Sequence, residues 1–244
     1  MKLFVYDNYE TMSAAAADAV MQEIQIKNNA LLCTASGDSP AGLYKKLVDE
    51  LKKNSTNVSK LNFVGLDEWM GMNGNDEGSC RFHLNNQLFN PLNISDSNIV
   101  FFDGRAKDPD MECGRIDNFI KNKNGIDVAI VGLGMNGHVG MNEPGTPALL
   151  HSHVAKIDPV TQQVGQKYFK EKKEISSGLT LGIANLMEAK NVMLIVSGKK
   201  KAEIVKQVFE EKISEKLPAG LLRNHPNFSV YLDAEAASLL INKV

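Results

Sequence analysis

The segment from Gly132 to Gly145 concentrates more chemistry than its neighbours. Its sequence is GLGMNGHVGMNEPG, with five glycines, one histidine and one carboxylate in 14 residues. Histidine transfers protons near neutral pH, and a nearby carboxylate can orient it and raise its pKa. A GxGxxG pattern can mark a dinucleotide loop, but here no helix-forming run follows and Pro144 disfavours helical geometry. We therefore expect the glycines to shape a loop that aims His138 and Glu143 into a cleft.

Two adjacent carboxylates, Asp67 and Glu68, follow an apolar run that ends at Leu66. A carboxylate can remove a proton from a carbon next to a carbonyl group when it lies within hydrogen-bond reach. The pair could instead cap a helix, with Trp69 packing nearby. The local sequence leaves both possibilities open.

A third polar segment, Ser36-Gly37-Asp38-Ser39-Pro40, joins an apolar run to a helical pattern. Glycine allows close backbone approach, hydroxyls donate hydrogen bonds, and the N-terminus of the next helix offers free N–H groups to a phosphate. The segment is not a P-loop, because GxxxxGK[ST] is absent. The plainer alternative is a capped turn, with Asp38 or Ser39 as the N-cap and Pro40 near the first helical position.

These segments must be held by alternating strands and helices. Apolar runs predict strands at 2–6, 30–35, 61–66, 98–102, 128–133, 192–196 and 228–232, and helical patterns occupy 9–27, 41–54, 111–123 and 200–212. This alternation predicts an α/β fold with a mostly parallel sheet that is covered on both faces, in one domain spanning 1–244. Residues 144–189 have a weaker strand pattern and could cap the site. In such sheets ligands bind beyond the carboxyl ends of the strands, where the three segments lie.

Composition excludes several functional classes. The net charge of −2 offers no electrostatic footprint for nucleic acid or a membrane surface, and no run approaches the length of a membrane helix. The three cysteines are unevenly spaced without a CxxC, so we expect neither a zinc site nor a disulfide framework. Free thiols suit a reducing cytosol, and we expect a cytoplasmic protein.

The motifs together resemble the glucosamine-6-phosphate deaminase/isomerase family. The matching segments occur in family order and are Ser36-Gly37-Asp38-Ser39-Pro40, Leu66-Asp67-Glu68-Trp69, Asn136-Gly137-His138 with Asn142-Glu143-Pro144, Lys167-Tyr168-Phe169 and Gly198-Lys199-Lys200-Lys201. The resemblance implies a three-layer αβα sandwich with a Rossmann-like sheet. It also implies an aldose–ketose isomerising hydrolase that converts glucosamine 6-phosphate to fructose 6-phosphate and ammonia, with no metal and no organic cofactor.

The resemblance assigns roles to particular residues. Asp67 would move a proton between C2 and C1, and His138 would open the pyranose ring. Glu143, assisted by Asn136, would orient and tune His138. The phosphate would be held by Ser36, Gly37, Ser39, Lys167 and Lys201. The expected partner is a small sugar phosphate, bound by a monomer or a small homo-oligomer.

Three departures from the family pattern bear on these expectations. Asp38 stands in the phosphate loop, where a carboxylate is unfavourable unless it points away from the ligand. Asn136 replaces a frequent Asp, and Trp69 and Cys80 replace residues that are commonly Tyr. Galactosamine 6-phosphate therefore remains an alternative substrate. A 6-phosphogluconolactonase-type hydrolase and a non-catalytic sugar-phosphate sensor are more distant alternatives, and Asn-Glu-Pro argues against the lactonase.

Overall fold

A computed structural model describes residues 1–241 of the chain. The strands are β1 (Lys2–Tyr6), β2 (Leu31–Thr34), β3 (Asn62–Gly65), β4 (Asp67–Trp69), β5 (Ile99–Val100), β6 (Val128–Gly132), β7 (His153–Lys156), β8 (Ser177–Thr180), β9 (Asn191–Val196) and β10 (Phe228–Asp233). The α-helices are α1 (Tyr9–Ile26), α2 (Asp38–Lys53), α3 (Cys80–Leu84), α4 (Pro109–Asn122), α5 (Pro159–Gly165), α6 (Ile183–Met187), α7 (Ala202–Glu210) and α8 (Pro218–Leu221).

Seven of these strands form a parallel sheet in the order β1-β10-β9-β6-β2-β3-β5. Successive side chains of each strand enter opposite faces, so that Leu32 packs towards α1 and α2 while Cys33 packs towards α4 and α7. Burial on both faces explains why these strands are continuous apolar runs in the sequence. The three-layer αβα sandwich and the mostly parallel sheet are confirmed.

A second, smaller sheet was not predicted. β4, β8 and β7 pair antiparallel in the order β4-β8-β7, with Asp67 opposite Thr180. β4 follows β3 after a single residue, Leu66, whose carbonyl accepts a hydrogen bond from the backbone N–H of Leu181 at 2.8 Å. The small sheet therefore carries the region with the weaker strand pattern over the carboxyl ends of the large one.

Three predicted helix starts were wrong, and one of them is that of α4, which begins at Pro109 rather than at 111. α2 begins at Asp38 rather than at 41, and its N-cap is Gly37 at a φ of 137°, a backbone conformation that favours glycine. Neither Asp38 nor Ser39 is therefore the cap. The last helical pattern opens with a 3₁₀ turn, Lys199–Lys201, and becomes α-helical only in α7. None of the described helices is both long enough and apolar enough to cross a membrane.

Candidate active site

A cleft lies where β2, β3 and β6 end. It is lined by seven of the nine residues that the sequence singled out, namely Ser36, Gly37, Ser39, Asp67, His138, Lys167 and Lys201. The other two, Asn136 and Glu143, lie behind His138 and contact it or each other. Residues more than 160 positions apart in the chain therefore share one site, because parallel strands bring their carboxyl ends to the same edge.

The two adjacent carboxylates have different surroundings. Asp67 lines the cleft and remains partly exposed. Glu68 is fully buried, and its carboxylate accepts hydrogen bonds from the backbone N–H groups of Trp69, Cys80 and Arg81 at 2.9–3.0 Å. Cys80 and Arg81 open α3, so Glu68 caps that helix. The helix-capping possibility is thus realised by Glu68, and Asp67 is the carboxylate of the pair that faces the cleft.

The cleft changes the acidity of Asp67. Removal from water raises the pKa of its carboxyl group to about 6, and a hydrogen bond from the Cys80 thiol and the charge of His138 lower it in part. Burial also raises the pKa of Cys80 well above its usual range, so the thiol keeps its proton and can donate a hydrogen bond to the carboxylate of Asp67. A carboxylate with a raised pKa is a stronger base that is still ionised at neutral pH.

We expect the acid limb of the pH profile of kcat/KM to have its midpoint near pH 6, because Asp67 must be ionised to act as a base. Loss of the thiol hydrogen bond removes an influence that lowers the pKa of Asp67. Cys80→Ala should therefore move the limb to higher pH, whereas Cys80→Ser should leave it in place. The control is Cys113→Ala, a buried thiol on α4. A limb that is unchanged in Cys80→Ala would assign the midpoint to another group, such as the substrate phosphate.

His138 is held by a network on one side of its ring. Nδ1 lies 2.7 Å from Oδ1 of Asn136 and 3.5 Å from Oε2 of Glu143. The amide nitrogen of Asn136 donates to Glu143 at 2.8 Å, which turns its oxygen towards the ring. In the neutral ring Nδ1 must then carry the proton that Asn136 accepts, which leaves the lone pair for proton exchange on Nε2.

The absence of a side chain at Gly134 leaves the space that the ring of His138 occupies. A Cβ at position 134 would lie 2.2–2.3 Å from three atoms of the imidazole, closer than any contact that a side chain can keep. The backbone N–H of Gly134 donates to the carbonyl of His138 at 2.9 Å and closes the loop. The glycine-rich stretch therefore shapes a backbone on which the histidine rests, as the sequence indicated.

Glu143 is buried and has polar neighbours. Burial alone would raise the pKa of its carboxyl group, but hydrogen bonds with His138, Asn136 and Thr161, together with the charge of His138, hold that pKa below its usual value. The side chain therefore stays ionised, and an ionised carboxylate stabilises a protonated imidazole beside it.

The cationic end of the cleft is formed by Lys167 and Lys201. Lys201 donates to the carbonyl of Leu133 at 2.5 Å, and burial, followed by the charge of Lys167, lowers its pKa to about 8. Ser39 bonds across to Ser197 at the end of β9, at 3.2 Å. Two cations, loop hydroxyls and the start of α2 are the groups that bind phosphate in proteins.

Asp38 does not point away from this end. Its carboxylate forms an ion pair with Lys167, whose ammonium also lies 4.8 Å from the centre of the Tyr168 ring. The attraction of the exposed lysine on the facing segment places the carboxylate beside it.

Sequence reasoning missed several residues of this site. Thr161 lies 3.0 Å from Nδ1 of His138, and Val160, Val164 and Tyr168 line the cleft from the same segment. His83 lines it from α3, with its ring 5.3 Å from that of Tyr168. Tyr168 stands in the family segment Lys167-Tyr168-Phe169, but no role was assigned to it. For Val160, Thr161 and Val164 the only signal was their position in the proposed cap.

Comparison with known proteins gives consistent matches over the whole chain. A family model described as glucosamine-6-phosphate isomerases/6-phosphogluconolactonase matches residues 7–230. A glucosamine-6-phosphate deaminase from Clostridium tetani is 39% identical, over 98% of this chain and 100% of that protein. A second, from a Geobacillus species, is 35% identical over 98% and 96% of the two chains.

Two solved structures resemble the chain to different degrees. A monomeric glucosamine-6-phosphate deaminase superposes with a TM-score of 0.95 at 33% identity, covering 98% of this chain and 100% of the other. A 6-phosphogluconolactonase from Trypanosoma brucei reaches a TM-score of 0.76 at 22% identity, covering 97% of each chain. At that identity the second likeness shows the shared fold alone.

Proposed function

The chain belongs to the glucosamine-6-phosphate isomerase/6-phosphogluconolactonase family, and from this premise we propose that it isomerises and deaminates glucosamine 6-phosphate to fructose 6-phosphate and ammonia. The observation that carries the proposal is the convergence of a carboxylate with a raised pKa, Asp67, and a histidine with a free Nε2, His138, on a cleft with a cationic end. Both groups are suited to proton transfer.

The first step is opening of the sugar ring. Nε2 of His138 takes the proton of the anomeric hydroxyl and returns one to the ring oxygen, so that the C1–O5 bond breaks and an aldehyde forms at C1. The imidazole carries a positive charge between the two transfers. Glu143, held ionised by its partners, stabilises that charge, and Asn136 keeps the ring in the tautomer that leaves Nε2 free.

The second step moves hydrogen along the carbon chain. Asp67 removes the proton from C2, the electron pair forms the C1–C2 double bond as the C1 carbonyl π bond opens, and the C1 oxygen takes a proton from solvent, which gives an enolamine. Asp67 returns the proton to C1 and the C2–N bond becomes an imine. Water adds to C2, and the C2–N bond of the resulting carbinolamine breaks, which releases ammonia and leaves the C2 ketone. Each transfer runs between a carbon and one carboxylate, for which a base with a pKa near neutral is suited.

Binding of the phosphate group orients the substrate in the cleft. In this proposal it lies at the cationic end, held by Lys167, Lys201 and the loop of Ser36, Gly37 and Ser39. Binding energy from a group that does not react can fix the reacting atoms against Asp67 and His138.

One panel of substrates tests the assignment. Glucosamine 6-phosphate, galactosamine 6-phosphate and 6-phosphogluconolactone are each incubated with the protein, and ammonia and acid are measured. We expect ammonia from the glucosamine compound at the highest kcat/KM. Acid from the lactone without ammonia from either sugar would overturn the proposal, and preference for the galactosamine compound would replace its substrate.

We also propose a cytoplasmic monomer, supported by the three buried free thiols and the monomeric relative.

We expect Asp38→Asn to lower KM for glucosamine 6-phosphate by up to about fivefold with little change in kcat, because Asp38 competes with the phosphate for Lys167. The matched control is Asp49→Asn, which removes the same charge from the exposed face of the same helix. The difference between the two variants should shrink as salt is added. A higher KM in Asp38→Asn would mean that the carboxylate holds Lys167 in the productive position.

A further inference from the structure

Thr161 links the cap to the ring-opening histidine. It lies on α5, is 8% exposed, and its Oγ1 is 3.0 Å from Nδ1 of His138. The other contacts of this nitrogen come from the glycine-rich loop itself, through Asn136 and Glu143. Thr161 is thus a contact that reaches His138 from a separate segment of the chain.

The acceptor atoms of this network determine which of its nitrogen and oxygen atoms carry hydrogen. Asn136 presents an oxygen to Nδ1, so Nδ1 carries hydrogen, and Oγ1 of Thr161 is a second acceptor for the same N–H. The hydroxyl hydrogen of Thr161 is then not used by the histidine, whereas Oε1 of Glu143 is a buried carboxylate oxygen without a hydrogen-bond partner among the described residues. Thr161 therefore adds an acceptor for the Nδ1 hydrogen from outside the loop, and it constrains the direction of the ring.

The segment that carries Thr161 also carries the cationic group Lys167. α5 passes directly into a 3₁₀ turn, Gln166–Tyr168, without an intervening loop. Between them Gly165 packs closely: a Cβ there would lie 2.7 Å from Ile175 and 3.4 Å from the ring of Trp69. One helical segment therefore contacts His138 at its start, the strand of Asp67 in its middle and the phosphate end of the cleft at its finish.

We propose that Thr161 is a positioning residue, through which phosphate bound at Lys167 fixes the orientation of His138. The proposal rests on the proposed function and adds to it a physical link between the two ends of the cleft. A phosphate that holds Lys167 holds α5, and α5 holds Thr161 against Nδ1. Part of the binding energy of the phosphate is thereby used for ring opening, and not for affinity alone.

Thr161→Val and Thr161→Ser test the contact on the full-length protein. Valine keeps the shape of threonine and removes the hydroxyl, whereas serine keeps the hydroxyl. With glucosamine 6-phosphate we expect Thr161→Val to lower kcat by about tenfold and to leave KM within about threefold, and Thr161→Ser to recover most of the loss. Gln163→Ala, an exposed change on the same helix, is the control for disturbance of the cap.

A second arm tests the coupling. Ammonia release from unphosphorylated glucosamine is measured with and without inorganic phosphate, which can occupy the cationic end by itself. We expect phosphate to stimulate the wild-type protein about tenfold and Thr161→Val much less. Equal stimulation of the two proteins, no stimulation of the wild type, or an unchanged kcat for Thr161→Val would overturn the proposal. Failure of the wild type to release ammonia from glucosamine 6-phosphate would instead overturn the proposed function.

Discussion

Asp67→Asn should lower kcat for glucosamine 6-phosphate by about 10²–10⁴-fold, the range that a positioned general base contributes. Asparagine has the shape of aspartate and cannot accept a proton from carbon at neutral pH. The measurement that isolates this role is exchange of the C2 hydrogen with deuterated solvent, since exchange needs proton removal and no later step. Near-normal exchange in the folded variant would remove Asp67 from the mechanism.

The same substitution should not destabilise the protein at pH 7. The pKa of Asp67 is about 6 in the folded protein against an ordinary value of 3.8, so the folded state binds this proton more tightly than the unfolded state. Stability contributed by Asp67 is therefore complete below about pH 4 and is lost as the pH rises through 6. A neutral asparagine avoids the cost of the buried charge, and the Tm of the variant at pH 7 should equal or exceed that of the wild type.

Substitution of the neighbouring carboxylate, Glu68, should affect stability more and turnover less than substitution of Asp67. Glu68→Gln replaces an acceptor of three backbone hydrogen bonds with a group that carries its own N–H donors, and Cys80 and Arg81 then lose part of their cap. This variant should have a lower Tm than the wild type and keep a larger share of its kcat than Asp67→Asn. The opposite ranking would exchange the roles assigned to the two residues.

We expect His138→Gln to lower kcat for the cyclic substrate by about 10²–10⁴-fold, because ring opening loses its proton carrier. An analogue without the C4 and C5 hydroxyls can close neither a furanose nor a pyranose ring, and it should lose far less rate. The ratio of the two losses is the measured quantity. The control is His151→Gln, an exposed histidine paired with Glu188 outside the cleft. Equal losses on both substrates would assign His138 to a later step.

The sequence alone was sufficient to predict the strands of the large sheet and the loops in which the site lies. Strands of a parallel sheet are buried on both faces, so segments such as 30–35 and 128–133 are continuous apolar runs that stand out locally. The rule that ligands bind at the carboxyl ends of such strands then selects the loops after them. A histidine among glycines and two carboxylates at a strand end indicate proton transfer, but the local sequence leaves open which carboxylate takes part.

Only the tertiary structure determines which carboxylate of the acidic pair faces the cleft and which caps a helix. Adjacent residues of a strand point to opposite faces, and which face meets the cleft depends on where β4 pairs with β8. That pairing joins segments separated by more than a hundred residues. It directs Glu68 to the start of α3 and leaves Asp67 at the cleft, a result that no local pattern contains.

The partners of Lys167 and His138 were likewise decided by the fold. Asp38 and Lys167 are 129 residues apart, and Thr161 and His138 are 23 apart. Each pair meets because the small antiparallel sheet carries residues 153–180 over the edge of the large one. A side chain such as that of Thr161 has no chemical signature of its own, and its role follows only from the atoms beside it. The residue types were thus in the sequence, whereas their pairing came from contacts that form when the two sheets close on each other.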